Sequence, residues 1–212
     1  MKKYILSLAT LAFLASCQSA PEGQEASTTQ QKEASKSESG TSYTIDQTTS
    51  LVTFVGTKPV GTHTGTFALT SGNLKVDNGN ITAGSFEIDI QSMKCIDKDT
   101  AGSYKLIGHL LSPDFFDAAK FAKAKFEVTA CEAIQNNPAA THQISGNLTL
   151  KDSTQNITFP AKVNINDAGV TATADFNIDR TKWGLFYGND KSLGDKFIYP
   201  EVKIMLNITA KK

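Results

Sequence analysis

Ser85–Met93 reads SFEIDIQSM. Phe86, Ile88 and Ile90 alternate with Glu87, Asp89 and Gln91. In an extended chain this puts the apolar side chains on one face and the polar ones on the other. The stretch therefore predicts a half-buried strand, and its pattern spreads in both directions. KFEVTA puts Phe126 and Val128 against Glu127 and Thr129. QISGNLTLK groups Ile144, Leu148 and Leu150. TATADFNID groups Ala172, Ala174, Phe176 and Ile178. EVKIMLNITA groups Val202, Ile204, Leu206 and Ile208. Turn sequences separate these runs: DNGN at Asp77–Asn80, KDST at Lys151–Thr154 and NDAG at Asn166–Gly169. With YTID, SLVTFVG, GTFALTSGNLKV and NITAG before them, about eight antiparallel strands are expected, in a sandwich or an up-and-down barrel.

The interior is uneven in size. Ala172, Ala174 and Gly146 are small where their neighbours are large. A closed eight-stranded barrel can be filled by side chains or hold one small ligand, and composition leaves both open.

The folded region does not begin at Met1. Lys2 and Lys3 precede an apolar run, Tyr4–Ser16, with the length of a signal-peptide core and too short for a bilayer span. The run ends LASC, and Leu14, Ala15, Ser16 and Cys17 resemble a bacterial lipobox. That resemblance implies cleavage before Cys17 and acylation of the cysteine, the alternative being an ordinary signal peptide. Gln18–Ser42 has no aromatic or β-branched aliphatic residue. It cannot offset its ordering entropy by burial, so a disordered tether is expected. The organisation expected is a signal peptide over 1–16, a tether with lipidated Cys17 over 17–42, and one domain over 43–212. Glu22, Glu25, Glu33 and Glu38 outnumber Lys32 and Lys36 in the tether. The chain carries 21 basic and 21 acidic residues, so losing Lys2 and Lys3 leaves 19 against 21. That balance argues against a nucleic-acid partner and against electrostatic membrane binding.

GHLLSPDFFDAAKF, Gly108–Phe121, breaks the strand pattern. Ser112 can cap a helix, Pro113 suits the first helical position, and Asp114 favours the first turn. A short helix over about 113–120 is expected, with Phe115 and Phe116 forming a lid on one end of the barrel.

Reactive constellations are sparse. His63, His109 and His142 lack metal-ligand spacing, so no metal site is expected, and no catalytic residues stand out. His109 is read as a hydrogen-bonded anchor for the helix, with ligand contact as the alternative. Asp179 and Arg180 read as a surface ion pair, or else as a polar gate at a cavity mouth. The sequons at Asn80, Asn147, Asn156 and Asn207 read as polar outward positions in Thr-rich strands. A Cys95–Cys131 disulfide stays open. The two are 36 positions apart, so a bond would contribute about 3–4 kcal/mol by loop entropy. They lie at opposite ends if their strands are antiparallel neighbours, and meet only across a bend or if the strands are not neighbours.

The chain resembles the YceI-like family across Tyr43–Ala210. The resemblance rests on YTIDQTTSLVTFVG, GSFEIDIQSMKCID, LIGHLLSPDFFDAAKFAKAKFEV and FNIDRTKWGLFYG, with the His109–Asp117 block the most specific. The longer DRTKWGLFYG…LGDKFI form is similar to members from the Bacteroidetes group. Two positions depart from the family: Phe121-Ala122 where Tyr-Pro is usual, and Pro200 where an acidic residue is common. The resemblance implies a lipocalin-like barrel that binds a polyisoprenoid or similar amphiphile, with no established catalytic residues and no cofactor beyond a bound isoprenoid lipid. The expected lining is Phe86, Ile88, Ile90, Phe126, Val128, Leu148, Leu150, Phe176, Ile178, Val202, Ile204 and Leu206. The expected location is the cell envelope, held on a membrane by the anchor at its periplasmic face or at the outer membrane. The oligomeric state stays open, a dimer included. The competing reading is a structural or stress-related envelope module with a filled core. If Cys17 is the anchor, Cys17→Ala should move the protein from the membrane fraction into the soluble fraction. Unchanged membrane association of the variant would exclude acylation there.

Overall fold

The computed structural model describes residues 19–37, 39–97 and 100–212, so the leader and Cys17 lie outside the described residues. The elements run β1 (Ser27–Gln30), β2 (Thr41–Ile45), β3 (Leu51–Lys58), β4 (Gly61–Asp77), β5 (Asn80–Cys95), α1 (Thr100–Leu111), β6 (Lys123–Ala133), β7 (His142–Leu150), β8 (Ser153–Asn166), β9 (Gly169–Asp179) and β10 (Glu201–Lys211). Two 3-10 turns, Arg180–Trp183 and Lys191–Lys196, join β9 to β10.

Alternation closes these strands into an eight-place antiparallel barrel. β2 and β3 share one place, since each pairs with both β4 and β10 around the turn at 46–50. The wall then runs through β4, β5, β6, β7 and β8 in sequence order. β9 completes it by pairing with β10 along its length and with β8 from Ala161↔Ala174 to Asn166↔Gly169. The register defines two ends. The upper end carries the β3–β4 tip at Lys58↔Gly61, the exit of β5, the Leu150↔Ser153 turn and the 180–200 connection. The lower end carries the turns at Asp77↔Asn80 and Asn166↔Gly169.

The helix lies upstream of its expected place. Residues 113–120 form turns, and α1 is complete at Leu111 before Ser112 is reached. Ser112 does not cap an N-terminus. Its hydroxyl donates to the His109 carbonyl in the last turn, 2.8 Å. Phe116 N–H then reaches back to the Leu110 carbonyl, Ala118 N–H to that of Leu111, and Asp117 turns left-handed at φ 49°. These bonds satisfy the orphan carbonyls of a helix end, and Pro113 follows because it cannot continue the ladder. α1 has its own signal: Leu106, Ile107, Leu110 and Leu111 repeat at three- and four-residue spacing and pack on the core or line its cavity.

The segment expected to be a disordered tether is also corrected. β8 and β9 diverge above Ala161↔Ala174, and the N-terminal chain enters that gap. Gln24 and Ala26 exchange backbone hydrogen bonds with Asn177 of β9, both 2.8 Å, and β1 pairs with β8 from Ser27↔Thr158 to Gln30↔Gln155. The chain next crosses the outer face of β7 and β6. Lys32 N–H donates to Asn147 Oδ1 at 3.0 Å, and Asn147 Nδ2 donates to the Lys32 carbonyl at 2.7 Å. Asn156 Nδ2 donates to Asn147 Oδ1 and to Thr129 Oγ1. Ser35 N–H bonds the Val128 carbonyl, and its hydroxyl donates to that of Thr129. Asn147 and Asn156 do sit on the outward side of their strands, but only 2% and 1% exposed, under this strap. Backbone and amide bonds hold what apolar burial does not.

Asn147→Ala removes the side chain that clamps Lys32 and leaves buried groups unpaired, at a cost of about 2 kcal/mol. The melting temperature should fall by roughly 4–8 °C for a domain of this size, with faster proteolysis between residues 19 and 37. A melting curve identical to wild type would show that the strap is not fastened through Asn147.

Candidate functional site

The long strands enclose an apolar cavity of about 490 Å³. It extends from Leu74, Ile81 and Ile144 low in the barrel to Lys58, Tyr187 and Lys196 at the upper end. The inward alternation of each strand supplies the lining. Phe86, Ile88 and Ile90 of β5, Phe126 and Val128 of β6, Leu148 and Leu150 of β7, Phe176 and Ile178 of β9, and Val202, Ile204 and Leu206 of β10 all border it. A dry cavity of about 150 Å³ holds one benzene, so this one has room for roughly twenty carbons.

Two chains of aromatic contacts frame the space. Phe86, Phe126, Phe159 and Phe176 follow one another around the wall, ending in a stack with centroids 4.1 Å apart. Nearer the top, Phe54, Phe67, Phe116 and Phe115 make the second chain, with centroids 5.1, 5.9 and 5.3 Å apart. Phe115 and Phe116 thus reach the cavity from the turn after α1, while α1 contributes Leu106, His109 and Leu110.

The small residues divide in role. Ala172 and Ala174 border open space. Gly146 does not: a Cβ there would lie 2.1 Å from the Phe126 ring, so the glycine accommodates that ring. Gly146 therefore shapes the wall around that ring and does not widen the cavity.

Arg180 is neither on the surface nor in an ion pair. It is 2% exposed, and its guanidinium donates to the carbonyls of Tyr199, Ile198 and Leu185. The guanidinium also sits over the Phe115 ring, 5.5 Å from the centroid. Burial lowers its pKa, while Asp179 and Glu201 act in the opposite direction. Three carbonyls satisfy a charge that would otherwise be costly to bury, and they tie the 185–199 connection to the barrel rim. Asp179 serves locally, accepting from the backbone and hydroxyl of Thr181.

The cavity border includes polar atoms without partners. His109 packs its ring against Tyr187, centroids 4.4 Å apart, and its Nε2 is buried with no hydrogen bond. The expected hydrogen-bonded anchor is therefore not made at Nε2. Thr57 Oγ1 is likewise buried and unpaired. Both residues line the cavity at its upper part, where the polar head of an amphiphile could find a donor or acceptor. His63, also on the border, bonds Asp97 through Nδ1 at 3.1 Å. Burial raises the Asp97 carboxyl, but bonds from Cys95, His63 and Thr64 outweigh it and hold the group below its usual range. Thr57, Tyr187, Lys196 and Ile198 were not among the expected lining, because no alternating strand carries the last three and Thr57 is out of phase with its neighbours.

Cys95 and Cys131 are both free thiols. β5 pairs β6 as an antiparallel neighbour through Ser85↔Glu127 to Asp89↔Lys123. That register sends Cys95 to the upper end, beside Gly65, and Cys131 toward the lower end, beside Ile144, so no disulfide joins them. Cys131 lines the cavity.

Residues 43–210 match the family described as the YceI-like domain. A comparison with curated proteins finds no match. Among solved structures, BcnA of Burkholderia cenocepacia is similar at 22% identity and a TM-score of 0.63, covering 79% of this chain and 99% of its own. A polyisoprenoid binding domain from Saccharophagus degradans implicated in plant cell wall breakdown is similar at 17% identity and a TM-score of 0.61, covering 80% and 97%. The YceI protein of Campylobacter jejuni is similar at 14% identity and a TM-score of 0.52, covering 100% and 99%. At these identities the likeness is one of fold.

Burial, and then Glu132, push the Cys131 thiol up to about 11. At pH 8 roughly one in a thousand of these thiols is ionised, and only the thiolate reacts. Iodoacetamide should therefore label Cys131 very slowly at pH 8, with a rate rising about tenfold per pH unit toward 11. Rapid labelling at pH 8 would mean that the thiol is not buried on the cavity wall.

Proposed function

The chain belongs to the YceI-like family over residues 43–210, and from that membership and the character of its interior we propose a lipid-binding protein that holds a polyisoprenoid or similar amphiphile in its barrel. The observation that carries this reading is an apolar cavity of about 490 Å³ where a structural module would have a filled core. The described neighbour that binds polyisoprenoid supports the choice of ligand class. The lipobox at Leu14–Cys17 supports a lipoprotein anchored in the cell envelope through acylated Cys17.

A prenyl or acyl chain has no directional groups. Its affinity comes from buried area, at about 25 cal/mol per Å² before the costs of association. Alternating apolar lining suits that demand, since it offers surface without unpaired donors. The head needs the opposite. His109 Nε2 and Thr57 Oγ1 are the polar atoms best placed to receive it, so the ligand would lie tail-down with its head toward α1 and the 185–199 connection. Binding, not catalysis, is the role proposed: a carrier or a reservoir for an apolar molecule that water excludes.

Ala174 pairs with Ala161 on β8 and Leu206 on β10, and its small side chain borders the cavity. Ala174→Trp should fill the lumen and cut extractable lipid at least tenfold while the circular dichroism of the barrel persists. Leu51→Trp, on an exposed strand start, should leave the lipid content unchanged. Solvent extraction and mass spectrometry of the purified proteins read both. Wild-type protein that carries no lipid and takes up neither an isoprenoid quinone nor a prenyl alcohol would overturn the reading in favour of the structural module.

A further inference from the structure

We propose that the upper end of the barrel is a membrane-docking surface, seating the cavity mouth on the bilayer that carries the Cys17 anchor. Seven large hydrophobic side chains are exposed among the described residues, and six of them lie at this end: Val60, Ile96, Tyr104, Phe186, Tyr187 and Leu193. They come from separate elements. Val60 is the β3–β4 tip, Ile96 follows β5, Tyr104 is on the outer face of α1, and the other three belong to the 180–200 connection. Tyr104 is 73% exposed and Phe186 59%. Isolated exposed apolar residues are ordinary, but their convergence on one end marks an interaction surface. Tyr187 also borders the cavity, so the patch adjoins its mouth.

The strap selects a bilayer as the occupant. Among the described residues, Pro21 is the first with a hydrogen bond to the barrel, its carbonyl accepting from Asn177 Nδ2 at 2.7 Å. Next, the Glu22 carbonyl accepts from Lys203, which pairs with Asn177. Asn177 lies two residues from the upper end of β9, about 7 Å at strand rise. Pro21 is the fourth residue after Cys17, so the two lie at most roughly 14 Å apart along the chain. The lower end of β9, at Gly169, is eight residues away, roughly 26 Å. An acyl chain on Cys17 therefore reaches a membrane beside the upper end and not one beneath the lower end. The segments that carry the patch bear charges of both signs, Lys58, Lys105, Lys191 and Lys196 with Asp97, Asp190 and Asp195. Docking is hydrophobic, without a requirement for anionic lipid. Aromatic residues such as Tyr104, Phe186 and Tyr187 suit the headgroup boundary, where one side of a ring is wet and the other apolar.

The inference takes the acylation of Cys17 from the proposed function, but its test reads orientation and not cavity loading, so the two fail separately. Tyr104→Trp and Leu51→Trp are each made in the full-length acylated protein and reconstituted into phosphatidylcholine vesicles, with the native Trp183, 1% exposed, as background. Tyr104→Trp fluorescence should shift to the blue and lose at least half its intensity when the vesicles contain acyl-brominated lipid. Leu51→Trp should do neither, and 0.5 M salt should leave both results unchanged. A second variant, Val60→Ser with Tyr104→Ser and Phe186→Ser, is compared with wild type in a Cys17→Ala background, and its vesicle affinity should drop at least tenfold. The proposal is overturned if Tyr104→Trp is not quenched, if Leu51→Trp is quenched equally, or if binding requires anionic lipid and vanishes in salt. It is also overturned if the triple substitution dissolves a dimer of the wild-type chain while vesicle affinity is unchanged, since the patch would then be a subunit interface.

Discussion

A sheet becomes a barrel only when every strand has a partner on both sides, and here the weak point is the β8–β9 seam. β8 must pair with β7 at Ser153–Ala161 and with β9 at Ala161–Asn166, so the wall opens above Ala161. Left bare, that opening would expose unpaired donors and acceptors on two strand edges. Gln24–Gln30 fills it, bonding Asn177 on one side and residues 155–158 on the other. Closure seals the wall on this side, so the apolar lining there faces the cavity and not solvent.

The cavity owes its persistence to elements that resist collapse. Interiors normally close-pack, and a void forfeits contacts on its lining. In this barrel the backbone ladder fixes the diameter before side chains can fill it, and the aromatic chains brace the wall. Arg180 holds the upper connection by three carbonyls, and Trp183, 1% exposed, fastens the same connection to β7 through Nε1 and the Leu148 carbonyl at 2.8 Å. The rim is thus rigid beside the mouth, while the floor and wall remain apolar.

The wall of this fold was legible because alternation is a property of neighbouring residues. SFEIDIQSM and TATADFNID announce both strand and inner face, and their inner residues do border the cavity. What was illegible depended on partners far away. Ser112-Pro113 reads equally as the start of one helix or the stop of another, and only the bonds back to His109, Leu110 and Leu111 decide. Gln18–Ser42 reads as a tether by composition, which has no term for Asn147 waiting on β7. Arg180 reads as exposed because a charge rarely finds three carbonyls in one place. Gly146 reads as empty space, and the Phe126 ring that occupies it comes from the adjacent strand. Whether the lumen would be full was beyond the pattern altogether, since alternation gives the direction of a side chain and not the width of the barrel.

The strap also imposes an order of events. The partners of β1 are residues 155–158, far downstream, so β1 cannot pair until β8 has formed and the wall stands beside it. Until then residues 17–42 are an unfastened span of up to roughly 85 Å. Fastening it ties the chain to the barrel from Pro21 onward. The first strand made must wait for one made much later, and its joining takes up most of that span. Closing the seam and taking up the N-terminal span are therefore a single step.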